Sequence, residues 1–172
     1  MTVDPEQLRT CAGYFATGVT VVSLAVGEAL HGATVNAFTT VSLNPPLVLI
    51  SLNRTSKAAR LLPGRPFTVN VLAAEQHDLA LRFAGRAETA PDVPPWQAPP
   101  ERLAPHTAPA LGGSLATFFC TPWASHDGGD HLLFLGRVEH TARRPGAQPL
   151  LYYRSAFHSV LARGSYETDG SA

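Results

Sequence analysis

The stretch Gly32-Ala33-Thr34-Val35-Asn36-Ala37-Phe38-Thr39-Thr40-Val41-Ser42-Leu43-Asn44-Pro45-Pro46-Leu47-Val48-Leu49-Ile50-Ser51-Leu52 decides how this chain is read. It opens with small residues and hydroxyls, breaks at a proline pair and closes in an apolar run. Its β-branched content predicts strands over 30–36 and 39–43. Asn44-Pro45-Pro46 is expected to interrupt pairing, because proline has no N–H for a ladder. Residues 47–52 then read as a central strand. Small side chains let a flat ligand lie close to the backbone, and the hydroxyls and amide can hydrogen-bond its polar edge.

Outward from this core the pattern stays rich in strands. Residues 18–26, 67–72, 114–121, 131–140 and 150–154 are read as strands, with a turn at Gly27-Glu28. Asp4-Pro5-Glu6 predicts a helix start, from a capping acid, a proline at the first position and a favourable negative charge. That helix is expected to reach Phe15, with Leu8, Cys11, Ala12 and Phe15 on one face. Shorter helices are expected over 56–62 and 75–84, the latter stacking Leu79 on Phe83. Residues 91–109 hold seven prolines and read as an irregular surface excursion. Residues 156–163 read as a helical turn or tail, and 164–172 as a polar, frayed end. Many strands with few helices predict a mainly β chain, a closed or nearly closed antiparallel barrel flanked by short helices.

A length of 172 residues suits one domain with one good core. Only 15% of residues are charged, so a buried subunit interface is expected, and 13 basic residues cancel 13 acidic ones. No basic field is present to recruit nucleic acid or an anionic membrane. The start Met1-Thr2-Val3-Asp4 shows no signal-peptide pattern, and no apolar run is long enough to span a bilayer. Cys11 and Cys120 read as two reduced, mostly buried thiols, with cytoplasmic location as the default. GxGxxG, GxxxxGK[ST] and GxSxG are absent, and the seven histidines form no metal-binding spacing.

Five segments in order carry a resemblance. They are Thr17-Gly18-Val19-Thr20-Val21-Val22, the run from Thr34 to Leu52, the run from Leu72 through Arg82-Phe83-Ala84-Gly85, the strand start Gly129-Asp130-His131, and Leu150-Leu151-Tyr152-Tyr153-Arg154. Together, over about residues 8–160, they resemble the flavin reductase family, the small reductase partners of two-component flavin monooxygenases. The resemblance implies an FMN-binding split β-barrel, assembled as a homodimer. NADH or NADPH would deliver hydride to FMN or FAD, and the reduced flavin would leave for a separate monooxygenase.

By that resemblance the flavin ring lies against Thr34, Val35, Asn36, Ala37 and Thr39, with Thr40 and Ser42 further along the same run. Asn53, Ser56 and Lys57 offer donors to its phosphate. Arg82 and Phe83 meet the flavin tail or a second subunit. Asp130 and His131 lie near the nicotinamide as the catalytic pair, and Tyr152 and Arg154 flank the dinucleotide. The family often continues with glycine and a basic residue where this chain has Ser155-Ala156, a departure that bears on dinucleotide contact. Two other readings stay open: a flavin carrier or sensor without turnover, and a flavin-dependent oxidation of a small metabolite.

Overall fold

A computed structural model describes residues 3–86, 96–99 and 108–160. Helix α1 (Pro5–Ala12) leads into β1 (Thr17–Gly18), β2 (Thr20–Val26), β3 (Ala29–Val35), β4 (Phe38–Leu43) and β5 (Pro46–Asn53). Helix α2 (Lys57–Leu61), β6 (Phe67–Val71), a 3₁₀ turn (Ala74–Gln76) and α3 (His77–Phe83) follow. The short β7 (Trp96–Gln97) pairs with β8 (Ala110–Leu111). The long hairpin of β9 (Ala116–Gly128) and β10 (His131–Arg143) precedes β11 (Leu150–Tyr153) and β12 (Ala156–Ser159).

Seven strands form one antiparallel sheet in the order β3-β2-β6-β9-β10-β5-β4. Its two edge strands are consecutive in sequence, joined only by Asn36 and Ala37. Laid flat, the edges of a seven-stranded sheet stand about 29 Å apart, whereas a two-residue link spans about 10 Å. The sheet therefore has to curl until its edges meet. No ladder joins β3 to β4, so the barrel is split along that seam. The Ala37 carbonyl, which accepts from Ser51 N at 3.1 Å, bridges it toward β5.

The barrel interior holds Val22, Leu24, Val35, Val48, Ile50, Leu52, Phe67, Val69 and Phe134. Each such side chain, moved fully out of water, contributes about 1.5–3 kcal/mol before entropy is counted. Strand β2 is buried on both faces. Val22 and Leu24 point into the barrel, and Val19, just before it, joins Val21 in a second cluster with Leu72, Ala80, Leu111 and Leu150. A buried polar seam fastens the chain before β8 to this outer face. Asn70 donates to Val21 O (2.9 Å) and accepts from Leu111 N (2.8 Å), while Thr68 Oγ1 donates to Ala108 O (2.7 Å). A small sheet, β1-β11-β12, flanks the barrel.

Several expectations are corrected. Helix α1 ends at Ala12 rather than Phe15, and none of its residues is buried. Its apolar stripe therefore has no partner among the described residues, and Cys11 is exposed where a buried thiol was expected; Cys120 is buried. Residues 156–159 form a strand instead of a helical turn, because Arg154 and Ser155 adopt positive φ (47° and 63°) and fold the chain back onto β11. A two-residue hairpin needs that left-handed pair. Strand β9 runs on past residue 121, with Pro122 opposite Gly136 at a bulge and, among the described residues, only β10 beside it. The proline pair does not end pairing, since Pro46 opens β5 opposite Leu43. Within the proline-rich excursion β7 is a paired strand, and most of the rest lies outside the described residues, as does the 161–172 tail. No described helix is long and apolar enough to cross a membrane.

Candidate functional site

The open seam is the candidate site. A cleft of about 410 Å³ is lined on one lip by Ala33 to Ala37 and on the other by Ser51, Leu52 and Asn53. Among the described residues β3 pairs only with β2, so its other edge keeps backbone donors and acceptors outside any ladder there. These are the groups that a heteroaromatic rim needs. Ser56, Phe83, Ala84, Arg86, His131, Tyr152 and Phe157 complete the wall.

Each wall residue is held by a local reason. Thr34 Oγ1 donates to Ala80 O at 2.7 Å, which fastens α3 to β3. Gly32 lets Phe83 settle directly on β3, since a Cβ built at Gly32 falls 2.5 Å from the Phe83 ring. Trp96 backs that ring with centroids 5.7 Å apart. Tyr152 and Phe157 meet edge-on at 5.3 Å across the β11–β12 hairpin. Ser56 caps α2, its Oγ accepting from Ala59 N at 3.1 Å. Asn53 Oδ1 accepts from both Thr55 N and Thr55 Oγ1 (2.9 and 2.6 Å), leaving its NH₂ as the donor on offer.

The β9–β10 turn is locked by Arg54. Its guanidinium donates to Asp127 (2.5 Å) and Gly129 O (2.9 and 3.0 Å), while Arg54 N donates to Asp130 O (2.9 Å). The Gly129 N–H beside Asp127, aided by Arg54, holds that carboxyl below the ordinary aspartate range. His131 then enters β10 opposite Asn53. Its Nδ1 lies 2.7 Å from Asp130 Oδ1, and this hydrogen bond, followed by the imidazole charge, pulls the Asp130 carboxyl down in pKa. With Nδ1 tied to a carboxylate, the ring offers Nε2.

The structure gathers Thr34, Val35, Asn36, Ala37, Asn53, Ser56, Phe83, His131 and Tyr152 of the expected residues around one cleft. It does not bring the others to that wall. Thr39 and Thr40 are exposed on edge strand β4, and Ser42 lies further along it. Lys57 opens α2, where its charge, after burial, lowers the pKa of His31. Asp130 stands behind His131, and Arg82 is not among the lining residues. Arg154 turns to a different, open cleft of about 550 Å³ beside α1, its guanidinium 5.1 Å over the Tyr14 ring. The unexpected lining residues are Val19, Ala33, Ser51, Leu52, Ala84, Arg86 and Phe157. Only Arg86 had a legible signal: Gly85 reads as a helix-stop glycine, which fixes the residue after it.

Comparison with known proteins agrees with this geometry. Residues 12–161 match the flavin reductase like domain, and the chain belongs to that family. An NADH-dependent flavin reductase from a Rhodococcus species is 38% identical over 173 residues, covering 98% of this chain and 93% of the relative. The reductase subunit HsaB of a flavin-dependent monooxygenase from Rhodococcus jostii is 35% identical, covering 92% and 79%. The solved NADH:FAD oxidoreductase of Streptomyces globisporus, in complex with NAD and FAD fragments, superposes with a TM-score of 0.80 at 36% identity, covering 98% of this chain and 99% of that one. These likenesses bear out the antiparallel split-barrel expectation.

Proposed function

We propose that this chain is an NADH-dependent flavin reductase that passes reduced flavin to a partner monooxygenase. The observation that carries the reading is the seam cleft: an unpaired strand edge facing apolar and aromatic walls, in a chain of the flavin reductase family. The cleft fits the group the family implies. Its volume of about 410 Å³ lies within the range of small-molecule sites, and it sets the polar groups of its lips against the aromatic rings of Phe83, Tyr152 and Phe157. A flavin, when bound, supplies the two-electron acceptor for a nicotinamide's hydride.

The protein's own task is then positioning, and no side-chain nucleophile is required. Thr34 to Ala37 and Ser51 hold the polar rim through β3's free edge and through hydroxyl and amide groups. Phe83, Tyr152 and Phe157 shape the walls and exclude water. His131, oriented by Asp130, presents Nε2 at the mouth where the dinucleotide approaches. Ser56 offers its hydroxyl to the flavin tail, and Asn53 its amide. Thr39, Thr40, Ser42, Lys57 and Arg154 do not reach the cleft and have no part in this binding set.

A second copy completes the reading. Phe15 is 77% exposed and Leu43 88%, with Leu8, Tyr14 and Val41 also open to water. A chain this poor in charge leaves such side chains uncovered at a cost that a homodimer removes. Sedimentation at twice 18.3 kDa would agree, and a monomer at micromolar concentration would count against it. The reading places the protein in the cytoplasm, where NADH is available.

The test is loss of absorbance at 340 nm with NADH or NADPH and FMN or FAD in four combinations. Rapid oxidation in any pair supports the reading and names both cofactors. Flavin retained through gel filtration without NADH oxidation would instead make the chain a flavin carrier.

A further inference from the structure

We infer that Arg54 is a positioning residue for the dinucleotide step: from outside the cleft it holds the β9–β10 turn and so sets where His131 presents its ring. The inference rests on the flavin-reductase reading and extends it to a residue that meets neither flavin nor nicotinamide.

The turn is weak by itself. Residues 127–130 read Asp-Gly-Gly-Asp, and Gly129 takes φ +79°. Glycine gives up more backbone freedom on ordering than any other residue. Strand β6 stops pairing with β9 at Cys120, and β5 pairs with β10 only up to the rung between Asn53 and His131. Past that rung, among the described residues, every hydrogen bond that reaches residues 127–130 from outside the hairpin comes from Arg54. Two of its guanidinium nitrogens share the Gly129 carbonyl, one of them also meets Asp127, and its backbone N–H takes the Asp130 carbonyl. A planar guanidinium can make that fork, and a lysine ammonium cannot reproduce it.

Arg54 projects from a firm base. Ser56 N donates to Asn53 O at 2.9 Å, and Asn53 Oδ1 holds Thr55. Helix α2 follows at once, with Ala58 and Ala59 buried in the barrel core beside Leu62. A turn anchored in the core thus grips a turn rich in glycine. The grip passes to His131 through Asp130. Apart from its own backbone N–H, the Asp130 carboxylate bonds only to His131 Nδ1 among the described residues, and its side chain is 86% exposed. No neighbouring side chain steadies that carboxylate, so the backbone at Gly129 and Asp130 decides where it stands. Arg54 fixes both carbonyls there. A misplacement of about 1 Å is enough to slow a reaction that depends on alignment.

The experiment compares wild type, Arg54→Ala, Arg54→Lys, His131→Ala and the double variant Arg54→Ala/His131→Ala. Initial rates at 340 nm give the KM for NADH with the flavin that the wild type turns over, and fluorescence quenching gives the Kd for that flavin. Arg54→Ala should raise the KM for NADH about three- to tenfold and leave the flavin Kd within about twofold. Arg54→Lys should fall between Arg54→Ala and wild type, and it carries the same test if Arg54→Ala does not fold. In the double variant the KM for NADH should stay within about twofold of that of His131→Ala, because Arg54 acts through that ring. Additive effects overturn the assignment, since Arg54 would then meet the dinucleotide itself. An unchanged KM for NADH overturns it too, as does a flavin Kd that rises in step with that KM. A wild-type chain that oxidises neither NADH nor NADPH with any flavin overturns the flavin-reductase reading, and this assignment with it.

Discussion

Replacing Gly32 with alanine tests how the wall of the cleft is built. The added Cβ would lie 2.5 Å from Cδ1 and Cε1 of Phe83 and 3.1 Å from Cζ. Carbon atoms are comfortable at about 3.5–4.0 Å, so the ring has to retreat by about 1 Å or more. Its room is limited. Trp96 stands behind it at 5.7 Å, and α3 is tied to β3 by the Thr34 hydroxyl. Overpacking of this kind costs about 1–3 kcal/mol. For a chain of this size each kcal/mol lowers Tm by about 2–4 °C, so Gly32→Ala should melt about 2–12 °C below wild type. The displaced ring also changes the cleft, and flavin affinity should fall with it. Differential scanning fluorimetry and flavin titration read the two effects. Adding Phe83→Leu should return part of the lost stability, because the two positions clash directly and are coupled. A Tm within about 1 °C of wild type, with unchanged flavin affinity, would refute the reasoning.

Four further outcomes are expected. His131→Ala should raise the KM for the nicotinamide more than that for the flavin, measured by initial rates; equal or no change would remove His131 from the dinucleotide's approach. Asn70→Ala strips partners from Val21 O and Leu111 N inside the protein, and chemical denaturation should show a loss of about 2–4 kcal/mol. The folded pKa of Asp127 lies below its usual 3.8, through Gly129 N–H and then Arg54, so its stabilising effect is present above that value and lost as pH falls through the folded pKa. The Tm difference between wild type and Asp127→Asn should thus be seen at pH 6 and vanish in strong acid; a difference that persists there would contradict the clamp. Cys120 is buried, its thiol pushed up to about 12, so a thiol reagent near neutral pH should leave Cys120 unlabelled in the native chain and label it in denaturant.

What the amino-acid sequence determined is mostly local. Alternation and β-branching marked the strands from Thr20 to Asn53, and Asp4-Pro5 marked the start of α1, because period and capping act within a few residues. The order of five segments also pointed to the family and to the lips of the cleft, Thr34 to Ala37 and Asn53. Whether a side chain near such a motif reaches the ligand is a different matter, and it depends on long-range pairing. Arg54 stands in sequence beside the phosphate donor Asn53, yet the β9–β10 turn, more than seventy residues away, engages its guanidinium. Arg154 looked like a dinucleotide contact until the left-handed pair at Arg154-Ser155 turned it toward Tyr14. Thr34 looked like a ligand donor, and its proton goes to Ala80. Phe157 gave no strong local signal because it belongs to no periodic pattern that the site requires. Only the tertiary structure decided where the barrel splits. A two-residue link between opposite sheet edges forces closure, while the missing ladder leaves the seam open, and both follow from pairings between residues far apart along the chain.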